Sequence, residues 1–334
     1  MTTFGERRGV GVFAGARGSG LLAAALLAVG CGSSSSPAVS TDGGGSGGAT
    51  ASGSGGASGG GAGGAGGGGS PGSGGSPGSG GATSDGAAAD VAGLDKFSFF
   101  VTSLKAMQDT SGSAAGFGGD LRFGKADGLS GADEICRTIA EKSMPGSSAK
   151  MWRAFLSVTK GPNGTAVNAI DRVGDGPWYD RLGRLMAMTK SDLAQSRPRG
   201  ADNAIVNDFP NESGVPNHAP DGMQVDNHDM LTGSDTTGKV YSTDASHTCA
   251  DWTSAVGSTG KPRVGHSWPR SGGPGGIGGP GGPGGDMNNW MSSLDEAGCA
   301  PGVSIVEMGP PNPNNPTVGS GGGYGGIYCF ALHP

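Results

Sequence analysis

Residues 32–90 consist almost entirely of Gly, Ser, Ala and Pro, with no apolar period and almost no charge. Such a segment cannot bury enough apolar surface to offset the conformational entropy that folding removes. We therefore expect it to be a flexible tether. A core can then form only from residues 91–334, which have the length of one ordinary domain.

Residues 1–30 have the organisation of a signal peptide. Three arginines stand against a single acid, Glu6, and the nine-residue apolar run 21–29 follows them. Nine residues are too few to span a bilayer, whereas a positive region followed by a short apolar core is typical of secretory signals. We therefore expect the chain to be exported.

Cys31 follows this apolar run directly, in the sequence LAVGC. The sequence resembles the lipobox of bacterial lipoproteins, in which small residues precede a cysteine that is diacylated and becomes the mature N-terminus. Ala28 stands where leucine is commonest in that motif, and an ordinary secretory signal is the alternative. Because several acyl chains anchor stably, the resemblance implies lipidation at Cys31 and attachment to the bacterial cell envelope, at the outer membrane or cell surface. The segment 31–90 would then be the stalk of a membrane-bound domain.

The four remaining cysteines, Cys136, Cys249, Cys299 and Cys329, all lie in the folded part. An even number in an exported domain predicts two disulfides, for which three pairings are possible. No two of these cysteines have C-x-x-C spacing, which argues against zinc-ribbon and thioredoxin-like motifs.

Hydrophobic patterning predicts an α+β domain. Residues 128–142 are expected to form a helix that turns Cys136 towards the core and is capped by Ser130. From residue 163 the chain is rich in turn-forming residues. Aromatic and β-branched content predicts strands near both ends of the domain, at 97–103, 151–158, 303–308 and 326–332.

Two Gly/Pro-rich runs, 272–285 and 310–326, are expected to be exposed surface insertions. The first has a Gly-Gly-Pro triplet period that superficially resembles collagen. Five triplets in a single chain cannot form a triple helix, so the period predicts no fibrous structure.

The order of motifs along the domain resembles that of the bacterial endostatin-like family, which has the C-type-lectin fold. The motifs are FFVTS, LSGADEIC, WRAFLS, LTGSDTTG, CADWTS and IYCFAL, and the resemblance covers about residues 97–330. That family is common among surface lipoproteins and is mostly of unknown function. The resemblance implies a lectin-like domain with nested disulfides, Cys136–Cys329 and Cys249–Cys299.

The sequence contains no convincing catalytic motif. Ser157 and Lys160 match S-x-x-K, but they end a predicted strand rather than begin a helix, and the partner motifs of penicillin-recognising enzymes are absent. There is no H-E-x-x-H motif and no P-loop, and the five histidines are scattered. We therefore predict a binding protein rather than an enzyme.

Charge is unevenly distributed within the domain. Residues 150–199 contain nine Lys or Arg against four acids, whereas residues 201–235 contain seven acids and no Lys or Arg. The resemblance to endostatin-like domains implies that the basic stretch binds sulfated glycans or other polyanions, and the alternative is a dispersed set of surface charges. The net charge of −6 argues against a nucleic-acid partner. The candidate arginines are Arg153, Arg172, Arg181 and Arg184.

The acidic stretch offers weak candidates for a calcium site, Asp221, Asp226 and Asp229, because carboxylates on a flexible loop suit this ion. The E-P-N, Q-P-D and W-N-D signatures of calcium-dependent lectins are absent, so no cofactor is firmly predicted.

Two of the five tryptophans, Trp268 and Trp290, flank the first Gly/Pro-rich run, and one of them is expected to be exposed in a binding groove. The other three are expected in the core.

These features predict a lipid-anchored surface protein with a monomeric lectin-like domain that binds a carbohydrate or an extracellular protein without catalysis. Two alternatives stay open. One is a structural or envelope-assembly protein that has no soluble ligand. The other is an enzyme on a lectin-like scaffold, which is disfavoured because the G-N-V-W-E-W-type signatures of formylglycine-generating enzymes are absent.

Overall fold

The computed structural model describes residues 96–218, 227–269, 288–305 and 310–333. The predicted leader, Cys31, the tether and the insertion 272–285 lie outside these residues, as do Asp221 and Asp226. Within the described part, no helix combines the length and the apolar character that crossing a membrane requires.

Regular structure in the described residues consists of short elements joined by long irregular segments. The right-handed α-helices are α1 (Leu104–Ser111), α2 (Gly128–Ser143), α3 (Ala169–Arg172) and α4 (Lys190–Leu193), and a one-turn left-handed segment lies at Cys249–Trp252. The strands are β1 (Phe99–Val101), β2 (Trp152–Ala154), β3 (Trp178–Tyr179), β4 (Leu185–Ala187), β5 (Asp229–Leu231), β6 (Arg263–His266), β7 (Leu294–Asp295), β8 (Gly323–Gly326) and β9 (Tyr328–Ala331). Single 3₁₀ turns lie at Ser147–Lys150, Ala245–Thr248 and Gly257–Thr259. This content is α+β, as the sequence predicts.

The first and last strands lie side by side in a three-stranded antiparallel sheet of order β1-β9-β2. Cys329, in the central strand, pairs with Phe100 of β1 and with Ala154 of β2. Every residue of β1 and β9 is buried. Strands without a solvent face are continuous apolar runs rather than alternating ones, which explains the sequences FFV and YCFA.

Helix α2 packs against this sheet through the face that the sequence predicts, with Ala132, Ile135, Cys136 and Ile139 buried. The predicted cap at Ser130 was wrong. Asp127 is the N-cap, and its carboxylate accepts a hydrogen bond from the Ser130 backbone N–H at 2.8 Å. Aspartate is among the strongest N-cap residues because its oxygen satisfies an N–H that has no partner within the helix.

Two buried disulfides connect these elements, and they are the pairs that the family resemblance implies. Cys136 of α2 is bonded to Cys329 of β9, 193 residues later. Cys249 is bonded to Cys299, 50 residues later. Cys249 begins a turn through Trp252 in which all four residues have positive φ, so the backbone there is left-handed.

A second, four-stranded sheet has the order β7-β6-β5-β8, with β5 antiparallel to β6 and parallel to β8. The prediction that residues 310–326 form an exposed insertion was wrong for β8, which is fully buried. A Cβ at Gly323 would lie 2.9 Å from the backbone oxygen of Asp229. Glycine is present in this strand because the backbone of β5 approaches it closely.

Of the predicted strand at 303–308, only residues 303–305 are described, and there Ser304 forms a bridge with Gly323. Residues 306–309 lie outside the described residues. Helix α1 was not predicted, although it has an ordinary N-cap at Ser103 and a left-handed C-cap at Gly112. Its eight residues contain a single fully buried side chain, Met107, so the sequence carries little apolar periodicity.

Buried aromatic rings fill the core. Trp290 packs against Phe155 with ring centroids 4.6 Å apart and against Tyr328 at 5.1 Å. Its indole N–H donates to the Leu193 carbonyl at 3.1 Å. Trp290 is 0% exposed, so its assignment to a binding groove was wrong.

Candidate functional site

Two histidines and an aspartate converge where β5 begins and β6 ends. Asp229 and His266 are direct partners in the antiparallel register, and His228 immediately precedes Asp229. His266 Nε2 lies 3.0 Å from Asp229 Oδ1, and His228 Nε2 lies 3.5 Å from the same oxygen. The imidazole rings are 3.9 Å apart and nearly perpendicular. We call these three residues the His–Asp cluster.

The His–Asp cluster is completely buried, with all three side chains 0% exposed. One nitrogen of each histidine and one carboxylate oxygen all lie within 4.8 Å of one another. Sequence reasoning missed this cluster, because the histidines appear scattered along the chain. The pairing of β5 with β6 brings them together, and no local spacing encodes that pairing.

Asp229 was predicted as a calcium ligand with Asp221 and Asp226. The structure places Asp229 between two imidazoles, and nitrogen ligands do not suit calcium, which takes oxygen. Asp221 and Asp226 lie outside the described residues.

A second set of polar groups surrounds the His–Asp cluster. Ser293 Oγ lies 3.2 Å from His266 Nδ1, so the two ring nitrogens of His266 have different neighbours. On the carboxylate side, a Cβ at Gly321 would lie 3.0 Å from Asp229 Oδ2 and 3.3 Å from Glu296 Oε2. The two carboxyl groups therefore lie close together against a backbone that has no side chain at this position.

Glu296 is fully buried next to Asp229. Its Oε2 accepts hydrogen bonds from Gly321 N at 2.8 Å and from Ser320 Oγ at 3.0 Å. Burial raises the pKa of Glu296 well above its ordinary value, and the negative charge of Asp229 raises this pKa further. Both effects favour the protonated form of Glu296.

Arg197 carries a positive charge in the same region. Its Nη1 donates to the Ser267 carbonyl at 3.3 Å, and its guanidinium lies 4.8 Å from the ring centre of Phe209. Burial raises the pKa of the Tyr328 hydroxyl well above its ordinary value. The positive charge of Arg197 lowers this pKa and the negative charge of Asp229 raises it, so both residues act on the same hydroxyl. The surroundings of the His–Asp cluster are therefore polar on several sides.

Trp268 lies against the His–Asp cluster. Its ring is 4.6 Å from that of His228 and 4.2 Å from that of His218. Its indole N–H donates to Asn227 Oδ1 at 3.0 Å. Trp268 is half-buried, whereas the four other tryptophans, Trp152, Trp178, Trp252 and Trp290, are at most 1% exposed.

Two of the four candidate arginines share one carboxylate. Arg172 Nη2 lies 2.7 Å from Asp133 of α2, and Arg153 Nη1 lies 3.3 Å from it. Both line an open groove in which three arginines face three acids, namely Arg137, Arg153, Arg172, Asp127, Asp133 and Glu134. The groove has mixed charge rather than the positive charge that a polyanion site requires.

The other two candidate arginines also contact neighbouring parts of the chain. Arg184 Nε donates to Asp180 at 2.7 Å, and Asp180 is completely buried. Arg181 Nε lies 3.3 Å from Ser143 Oγ. Each therefore has an intramolecular partner.

The S-x-x-K motif does not form a nucleophilic site. Ser157 is completely buried, with its Oγ 2.8 Å from Ser234 Oγ, and it accepts a hydrogen bond from Ala169 N at 2.9 Å. Lys160 is exposed at the surface. Ser157 therefore connects the beginning of α3 to the segment that contains Ser234.

Comparisons of the chain with protein-family models, with curated proteins and with solved structures found no match. The described residues define an α+β domain with two buried disulfides and a buried His–Asp cluster that packs against a half-buried tryptophan.

Proposed function

We propose that this chain is an exported, lipid-anchored binding protein whose domain binds a carbohydrate without catalysis, through a surface centred on Trp268. The observation that carries the proposal is the position of Trp268. It is the one tryptophan of the five that reaches the surface, and its polar neighbours are His218 and Asn227.

A half-buried tryptophan suits recognition for physical reasons. Its indole presents a flat apolar face, and its N–H orients the ring through a hydrogen bond. Here the N–H donates to Asn227, and packing against two tilted imidazole rings restrains the indole. A restrained aromatic group loses little entropy when a ligand packs against it, and tryptophan is enriched among residues that dominate binding energy.

The export part of the proposal rests on different observations. The two disulfides suit an oxidising compartment outside the cytoplasm. The signal-like residues 1–30 and the lipobox-like sequence before Cys31 agree with that location. A tether of Gly, Ser, Ala and Pro would hold the domain away from the membrane.

The test is a binding screen with the full-length chain and its Trp268→Ala variant. The arms are neutral glycans, sulfated polymers and extracellular matrix proteins, each measured with and without chelator. We expect binding to a neutral glycan that Trp268→Ala weakens by about fivefold or more, because loss of an anchoring aromatic residue typically costs over about 1 kcal/mol.

Tyr241→Ala is the matched control. Tyr241 is 40% exposed and its ring lies 5.0 Å from that of His247, so it is a second aromatic–histidine pair away from the His–Asp cluster. Binding that Tyr241→Ala reduces as much as Trp268→Ala contradicts the assigned surface. Binding only to matrix proteins, or to nothing in the screen, contradicts the carbohydrate assignment.

A further inference from the structure

We infer that His228, Asp229 and His266 form a binding site for one divalent transition-metal ion, with Zn²⁺ as the best match. The site is separate from the carbohydrate surface proposed above, although Trp268 lies against it. It does not depend on that proposal, because the three ligand groups are defined by the pairing of β5 with β6.

The two distances from Asp229 to the histidine nitrogens fit a tetrahedral ion, and all three ligand atoms lie within 4.8 Å of one another. Zinc bonds of 2.0–2.2 Å at tetrahedral angles place neighbouring ligand atoms about 3.3 Å apart. Asp229 Oδ1 lies 3.0 Å from His266 Nε2 and 3.5 Å from His228 Nε2. A hydrogen bond between Asp229 and His266 would explain the first distance. A metal ion bound by all three groups would account for both distances together.

The chemistry of the donor set selects the class of ion. Imidazole nitrogen suits zinc, copper, nickel and iron, whereas calcium and magnesium take oxygen ligands. Two imidazoles and one carboxylate leave a coordination position for water or another molecule, as in zinc sites with three protein ligands. We therefore expect a four-coordinate ion that has one exchangeable ligand.

The residues around the His–Asp cluster include outer partners, meaning groups that hydrogen-bond to a metal ligand without touching the metal. A histidine that binds metal through one nitrogen normally has a hydrogen-bonding partner at the other. His266 has Ser293 Oγ 3.2 Å from Nδ1, which leaves Nε2 directed at Asp229. Asp229 is flanked by Glu296, which is itself held by Gly321 N and Ser320 Oγ.

Complete burial strengthens the inference. A divalent cation held by these groups would interact strongly with the Asp229 carboxylate, because burial excludes the water that would screen the interaction. All three side chains of the His–Asp cluster are 0% exposed. The same three residues at the protein surface would not support this inference, because water would solvate their polar groups.

The experiment measures metal binding directly. The full-length chain, carrying Cys31→Ser in every arm so that this thiol cannot bind metal, is stripped with EDTA. It is then titrated with Co²⁺ and Zn²⁺, and with Ca²⁺ and Mg²⁺ in parallel. We expect one Zn²⁺ per chain, visible Co²⁺ absorption bands typical of tetrahedral coordination, and no binding of Ca²⁺ or Mg²⁺. X-ray absorption at the zinc edge should show two imidazole ligands.

Variants of the ligands test the assignment. His228→Gln and His266→Gln should each lower zinc affinity by more than about 100-fold, the upper end of what the loss of an outer partner costs. His247→Gln is the control, because His247 Nδ1 also lies 3.5 Å from an aspartate, Asp295, but has no second histidine partner. This variant should keep full stoichiometry.

Circular dichroism in the presence of chelator checks that each variant folds. If His266→Gln does not fold, Ser293→Ala provides the test, since it removes only the outer partner of His266 and should lower affinity about 10- to 100-fold.

Three results would overturn the inference. They are the absence of stoichiometric zinc, unchanged binding in both ligand variants, and an equal loss in His247→Gln. Trp268→Ala separates this inference from the proposed function, since it should weaken glycan binding and leave the zinc stoichiometry at one.

Discussion

Cys136 and Cys329 join the middle of helix α2 to the central strand of the sheet that contains both β1 and β2. This single bond crosses 193 residues of sequence. It therefore connects the early helix to the last strand, and most of the described residues lie between these two elements in the sequence. The helices and strands in that interval are short, so disulfides contribute more to the stability of this domain than they would in a domain with long helices.

Replacing Cys136 and Cys329 together with alanine should lower the free energy of unfolding by about 2–5 kcal/mol, because the unfolded chain gains the freedom of a long open loop. The measurement is urea denaturation of the domain in each form. Replacing Cys249 and Cys299 should cost less, since their loop spans 50 residues. A larger loss from the shorter loop would contradict this loop-length explanation.

Asp133 connects α2 to β2 and to Arg172, and its loss should be costly. Its Oδ1 accepts from Ala154 N at 2.9 Å, and the Arg172 side chain is 10% exposed. Asp133→Asn should cost roughly 2–3 kcal/mol of unfolding free energy, because it leaves a mostly buried guanidinium without its carboxylate.

The matched control for this ion pair is Asp109→Asn. The partner of Asp109 is Lys105, and both side chains are more than half exposed. Removing an exposed pair of this kind costs about 0–1 kcal/mol. Equal losses in the two variants, measured by thermal and urea unfolding, would show that Asp133 contributes no more than a surface charge.

Gly323→Ala should destabilise the four-stranded sheet. The added Cβ would lie 2.9 Å from the Asp229 backbone oxygen and 3.0 Å from its Cβ. We expect a loss of about 1–3 kcal/mol, the usual cost of overpacking. Gly200→Ala is the comparison, because that position has no atoms within 4 Å and carries only the conformational cost of φ +74.

In the same pair of variants, hydrogen exchange should report the location of the damage. Amide protection of β5 should fall in Gly323→Ala and stay unchanged in Gly200→Ala. Uniform loss of protection in both would contradict a local clash between β8 and β5.

Lipidation of Cys31 is tested by phase partition. The full-length chain expressed in a bacterium should enter the detergent phase, and Cys31→Ala should remain in the aqueous phase because it lacks the acyl chains. Metabolic labelling with a fatty acid should give the same contrast. A Cys31→Ala protein that still enters the detergent phase would contradict the anchor.

Part of the fold could be predicted because its signals are local. The buried face of α2 is periodic in the sequence, and β1 and β9 are short apolar runs. The disulfide pairing was available only through the family resemblance, because cysteine spacing alone left three pairings open. Glycine content predicted an exposed insertion at residues 310–326, but β8 within this run is buried. Glycine allows close packing of backbones as well as flexibility, so composition alone does not distinguish the two.

The sequence alone determined that residues 91–334 contain four cysteines, enough for two disulfides, and it predicts an export-type leader and a core confined to those residues. These properties depend on composition and short patterns, which do not require knowledge of distant contacts. Only the tertiary structure decided that His228, Asp229 and His266 meet, because they meet through the register of two strands. It also decided which tryptophan reaches the surface, since burial depends on what the rest of the chain packs against it.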